Sequence, residues 1–194
     1  MPAPLSLLLA CLLLLALPSP GRAAPVVTAG SATVNVGDTF QIPISITGAE
    51  DLQSWQFDLA FDPAILSASS VTEGPFLSES GTKTTTFVPG VIDNETGQIT
   101  LVADFFGEVP PGPSGAGVLA EIEFHALAPG VSPLTLSKVF LNLSDSGFEI
   151  ENGQVTVLGP RAAVPEPAAL VLVAVGLGAW AAWRRRPARR APTR

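Results

Sequence analysis

The sequence predicts an all-β fold, a two-sheet sandwich of about nine strands, and three observations carry that expectation. The stretch Ser54 to Phe61 alternates strictly, with Trp55, Phe57, Leu59 and Phe61 on one side and Ser54, Gln56, Asp58 and Ala60 on the other. That is the period of a half-buried strand. Between Val26 and Leu158, further short alternating runs are separated by Gly, Pro, Asn and Asp clusters, the spacing of strands and turns rather than of amphipathic helices. The two ends differ sharply in composition from this middle, which leaves one folded domain of about 135 residues. A domain of that size buries roughly two thirds of its unfolded surface and needs no metal or disulfide to fold.

Residues 1–23 read as a secretory signal peptide. Leu5 to Leu17 is apolar apart from Ser6 and Cys11, and Pro18-Ser19-Pro20-Gly21 with small residues follows. Cleavage after Ala23 puts Gly21 and Ala23 at the small-residue positions. Met1 to Ser6 carries no Lys or Arg, so the terminal amine alone supplies the usual positive charge. The run is also too short to span a bilayer well. Cys11 is the single cysteine; removal of the leader leaves a chain without disulfides.

The domain itself is placed at residues 26–158. Ala32, Val34 and Val36 alternate before Gly37-Asp38, and Phe40, Ile42, Ile44 and Ile46 alternate before Gly48. Pro43 falls on the outward register of the second run, which predicts an edge or a bulge there. Ser54 to Phe61 follows and ends at Asp62-Pro63, since proline cannot donate to a ladder. Its Trp55, Phe57, Leu59 and Phe61 form the face that other strands must cover, contributing several kcal/mol at about 25 cal/mol per Å². The remaining strands are expected at Thr84 to Val88, Gln98 to Phe105, Val118 to Leu127, Leu134 to Phe140 and Gly153 to Leu158. In the third of these five, Val118, Ala120, Ile122, Phe124 and Ala126 are expected inside, with Leu119, Glu121, Glu123 and His125 outside. Gly107 to Gly117, GEVPPGPSGAG, reads as the longest loop and the most mobile.

Charge is distributed unevenly. Ala24 to Pro160 holds 16 acids against Lys83 and Lys138, whereas Arg161 to Arg194 holds seven arginines against Glu166. An acidic domain argues against nucleic-acid binding, which needs clustered Lys and Arg to neutralise phosphates. The basic tail follows an apolar run and suits a membrane face.

Val36-Gly37-Asp38-Thr39, Ile42-Pro43-Ile44, Phe57 to Leu66 (FDLAFDPAIL), Gly97 to Asp104 (GQITLVAD), Leu119 to Phe124 and Gly153 to Val157 (GQVTV), taken in order, resemble a cohesin domain. The resemblance spans most of Ser31 to Leu158. It implies a jelly-roll β-sandwich related to carbohydrate-binding modules, and a dockerin-like module as the partner. It does not carry over the residues that choose a dockerin, because these lie on a variable sheet face.

Residues 159–167 form a linker ending in Pro165-Glu166-Pro167, where two prolines hold the backbone extended. Residues 168–183 carry no charge; at about 1.5 Å each they reach about 24 Å, a thin transmembrane helix against a core of roughly 30 Å. Residues 184–194 are a basic cytoplasmic tail, with Arg184, Arg185 and Arg186 as the membrane-stop cluster and Trp180 and Trp183 at the interface. Proline-flanked glutamate, short apolar helix and arginine cluster resemble a PEP-CTERM sorting signal. That resemblance implies processing by a membrane exosortase and a domain held first at the inner membrane, then delivered to the cell envelope, surface or exterior.

The sequence offers little for catalysis. His125 is the single histidine and its register puts it outside, beside Glu123. With no mature cysteine, zinc sites and Cys/His or Ser/His arrangements lack parts. Glu121 and Glu123 lie about 7 Å apart on one face, a spacing that imitates a glycosidase pair, though such pairs come from different strands across a cleft. Asp93-Asn94-Glu95-Thr96-Gly97 is oxygen-rich, readable as a calcium loop or as a hairpin turn. The expectation is therefore a binding module with no catalytic residue, metal or cofactor. The alternatives are a carbohydrate-binding module holding extracellular polysaccharide and a matrix protein without a discrete ligand. The absence of Tyr and the inward reading of Trp55 weaken sugar stacking.

Overall fold

The computed structural model describes residues 23–79 and 81–159, together with Leu177 and Trp180. Residues 1–22 of the expected leader (1–23), the sorting motif Pro165, Glu166 and Pro167, and the cluster Arg184, Arg185 and Arg186 lie outside the described residues, as does nearly all of the 168–183 segment. Among the described residues no helix is long and apolar enough to cross a membrane. Chain contacts separate two units at Gly159/Pro160.

Twelve strands are described, in two sheets. They are β1 (Val26–Ala29), β2 (Ala32–Asn35), β3 (Thr39–Ala49), β4 (Ser54–Ala60), β5 (Leu66–Glu73), β6 (Thr85–Val88), β7 (Val91–Asp93), β8 (Gln98–Phe106), β9 (Gly115–Ala126), β10 (Gly130–Leu141), β11 (Glu149–Glu151) and β12 (Gly153–Leu158). One sheet runs β11-β1-β3-β9-β5. The other runs β2-β12-β10-β4-β8-β6, with β7 also on β8. The β1–β11 and β2–β12 pairs are parallel and the rest antiparallel.

The aromatic strand is β4, and it lies inside the seven-stranded sheet between β10 and β8. Trp55, Phe57, Leu59 and Phe61 are all buried. Trp55 stacks on Phe57 at 5.6 Å between centroids, and Phe61 meets Phe124 of the other sheet edge-on at 5.3 Å. Ile42, Ile44 and Ile46 from β3 and Ile122 and Phe124 from β9 complete the facing layer. Interdigitation of two alternating faces makes a sandwich core.

Four strands went unread, and each has a reason. In β5, Leu66, Ala68 and Val71 are buried, but a register shift between Ala68 and Ser70 moves the inward phase by one residue and breaks the alternation. Strands β7 and β11 have three residues each, below any periodic signal, and β1 has four.

Three positional expectations are corrected. Leu119 is buried, at 1 % exposure, because β9 pairs Ile44 with Ala120 and then Ser45 with Val118; Leu119 is the extra residue of a bulge. Pro43 sits in an inner strand, yet just beyond the end of β1 at Ala29. Its carbonyl accepts Gly30 N–H at 2.9 Å, so the donor that proline lacks falls where the neighbour has run out. The segment after β8 spans only 107–114, because β9 begins at Gly115. It is shorter than the 74–84 connection and is tied down. Leu52 N donates to Pro113 O (3.0 Å), Gly112 N to Asp51 Oδ1 (2.6 Å) and Asp51 N to Ser114 Oγ (2.9 Å).

Candidate functional site

The two outer faces differ in chemistry. On the five-stranded sheet, β9 presents Glu121, Glu123 and His125, and β11 adds exposed Glu149 and Glu151. On the seven-stranded sheet, the outward charges are Asp58 and Lys138, which pair at 2.7 Å, and Asp93 on β7 beside exposed Val91. A face whose strands carry one ion pair and only Asp93 besides, on an otherwise strongly acidic domain, has a low desolvation cost for an incoming protein.

That face also exposes an apolar patch. Leu101 (52 %), Phe105 (42 %), Val91 (65 %) and Leu143 (82 %) are open to solvent, with half-buried Phe140, Val88 and Gln56 among them. Ser54, Trp55, Gln56, Phe105, Phe140 and Leu143 line a hollow of about 300 Å³. Clustered exposed apolar side chains mark interaction sites, unlike scattered ones.

Asp58 organises the patch. Opposite it on β8, the register passes from Val102 to Ile99 while β4 passes from Phe57 to Leu59, so Thr100 and Leu101 face one residue. Leu101 takes φ 59, and its N–H donates to Asp58 Oδ1 at 2.7 Å. On β10 the register jumps from Ser137 to Phe140. Lys138 there takes φ 46 and reaches Asp58 Oδ2. One carboxylate thus serves bulges on both neighbouring strands, and the β8 bulge is what turns Leu101 outward. Strict alternation places Asp58 in solvent, whereas it is buried at 7 % exposure. The detectable signal is Leu101-Val102, two consecutive apolar residues where alternation allows one.

Asn142 holds the upper rim. Its Oδ1 accepts Gln53 N (2.7 Å) and Ser54 N (3.3 Å), and its Nδ2 donates to Asp51 O (3.0 Å). Asn142 and Leu143 both take positive φ, 51 and 64, which projects Leu143 beside Phe140.

The residues examined for catalysis stay apart from this face. His125 is exposed on the other sheet, its Nδ1 3.3 Å from Thr39 Oγ1. Glu123 Oε1 accepts Ser69 Oγ at 2.6 Å, and Glu121 lies on the same strand rather than across a cleft. Asp93 to Gly97 forms the β7–β8 turn. Thr96's hydroxyl, with the amides of Thr96 and Glu95, holds Asp93's carboxyl below its usual range. Asn94 exchanges two hydrogen bonds with the Ala68 backbone. These oxygens are spent on the turn itself, and among the described residues no group of three or more acidic, His or Cys side chains could hold a metal.

Residues 25–157 match the cohesin-domain family model, and residues 163–186 match the PEP-CTERM protein-sorting motif. Cellulose-binding protein A of Clostridium cellulovorans is 27 % identical over 142 residues, which is 69 % of this chain but only 7 % of that protein. The fold is similar to the cohesin in a type I cohesin–dockerin complex from Clostridium thermocellum, with TM-score 0.57 and 15 % identity over 73 % of this chain and all of that one. It is also similar to a non-cellulosomal cohesin from the archaeon Archaeoglobus fulgidus, with TM-score 0.54 and 20 % identity over 70 % and 92 % of the two chains.

Proposed function

Because this chain belongs to the cohesin family, we propose that it is an exported, non-catalytic docking module that binds a dockerin-like module on the outer face of its seven-stranded sheet. The observation that carries this reading is the contrast between that sparsely charged, partly apolar face and the acidic remainder of the domain. Dockerin complexes of structurally similar chains support the class of partner. Polysaccharide is a weaker fit, since Trp55 lies in the core and the patch offers branched aliphatics, exposed Phe105 and half-buried Phe140 instead of a row of exposed planar rings.

Calorimetry with dockerin-type modules encoded in the organism that makes this chain tests the face. Phe105→Asp or Leu101→Asp weakens binding by about 30-fold or more, as central apolar contacts do, while Glu121→Lys on the opposite sheet leaves it nearly unchanged. Leu101→Asp keeps a residue tolerant of positive φ. The reverse pattern would move the site to the acidic face.

The tail adds delivery. The sorting motif supports recognition of Pro165-Glu166-Pro167 by an exosortase after the apolar segment halts in the inner membrane, with release to the envelope or cell surface. Glu166→Ala then blocks the mass change on processing without affecting export. A wild-type envelope protein that still ends at Arg194 refutes sorting and leaves a membrane-tethered module.

A further inference from the structure

On the inner side of β8, Asp104 is fully buried, opposite Trp55 of β4 and Phe87 of β6 in the ladder. Its Oδ1 accepts Phe105 N at 2.9 Å, while Oδ2 has no donor. Glu73, at the end of β5 in the other sheet, faces it, and Glu73 Oε1 accepts Thr85 Oγ1 at 2.7 Å. Two carboxyl groups therefore meet between the sheets, with Trp55 and Phe87 opposite Asp104 and Ala120 opposite Glu73 in the ladders.

Among the described residues no cation is placed to neutralise them. The bases among the described residues are Lys83, Lys138 and His125. Lys83 pairs with Glu108 at 3.3 Å, Lys138 with Asp58 on the outer face, and His125 lies against Thr39 on the far side of the other sheet. A buried carboxylate oxygen that lacks a donor and faces a second carboxylate favours binding a proton. We propose that Asp104 and Glu73 share one proton across the two sheets, a latch that closes the β5–β6 edge in acid and opens as the proton leaves to solvent in alkali. Burial first, then repulsion by Glu73, pushes the Asp104 carboxyl up to about 7, so release falls near neutrality. The raised value means that the folded chain holds the proton more tightly than the unfolded one. The stabilisation is then complete below the unfolded carboxylate range and is lost as pH rises toward 7. The latch lies directly behind Phe105 and Thr86, yet it stands whether or not that face docks a partner.

The test uses the full chain and follows the Asp104 and Glu73 carboxyl carbons by NMR, with urea unfolding from pH 5 to 8.5. Relative to Asp104→Asn, the wild-type folding constant falls about tenfold per pH unit between about pH 5 and 7, and the Asp104 carboxyl titrates near neutrality. Glu73→Gln replaces the shared proton by an amide N–H and moves the Asp104 titration to lower pH, which keeps the test open should Asp104→Asn fail to fold. Parallel wild-type and Asp104→Asn pH profiles, an Asp104 carboxyl titrating below pH 5, or an Asp104 titration unmoved by Glu73→Gln each overturn the latch.

Discussion

Trp55→Ala destabilises the domain by about 3 to 5 kcal/mol, the range for large aromatics deleted from cores. Trp55 is 2 % exposed and touches rings on two strands, Phe57 at 5.6 Å and Phe87 at 6.2 Å, so neighbours anchored in the sheet cannot collapse into the space. Its Nε1 has no partner, and Trp55→Phe, which removes that donor, therefore loses far less. Asp58→Ala provides the comparison on the opposite side of β4. It strands the Leu101 N–H inside the bulge and falls at about 1 to 3 kcal/mol, the penalty for a buried unpaired donor. Urea titrations of the three variants measure this order. A loss below about 1 kcal/mol for Asp58→Ala would mean that the bulge holds itself.

Gly97→Ala is the second large loss, about 2 to 5 kcal/mol, from two separable causes. Gly97 takes φ +69, and a Cβ there would lie 2.2 Å from Phe61 O and 2.6 Å from Pro63 Cδ. Its own carbonyl accepts Phe61 N at 2.8 Å, so it cannot move away without undoing the end of β4. Left-handed backbone alone accounts for roughly 1 to 2 kcal/mol, and overpacking adds roughly 1 to 3. Gly37→Ala isolates the first cause, since Gly37 takes φ +90 with nothing within 4 Å of its added methyl. Equal losses at the two positions in thermal or urea unfolding would show that the contact with Phe61 relaxes freely.

What the sequence made legible follows from periodicity. Trp55, Phe57, Leu59 and Phe61, and Ile42, Ile44 and Ile46, sit where strict alternation puts them, and with them the sandwich and its core. Legibility fails wherever the phase slips by one residue: Leu119 goes inside, Leu101 goes outside and Asp58 is buried, all through bulges that local composition scarcely marks. The outer face of the seven-stranded sheet suffers most, because Asp58 looks like a solvated acid until β8 and β10 are seen closing on it from both sides. Asp104 is missed for a related reason. Nothing in GQITLVAD separates an outward aspartate from one turned between the sheets until β5 brings Glu73 against it.

The parallel pairs β1–β11 and β2–β12 join Val26 to Glu149 and Ala32 to Val155. Ordering such distant partners carries a loop-closure entropy that no early contact offsets, so the sandwich is a slow-folding topology. A chain threaded outward from its amino end would hold β2 unpaired, and β1 open along the edge away from β3, until its last strands emerged. Those early strands, with their open backbone edges, are in the meantime the segments most exposed to wrong pairing with other chains. Completion of the domain is thus tied to completion of its passage, and a product truncated before Glu149 is left with two open sheets instead of a smaller fold.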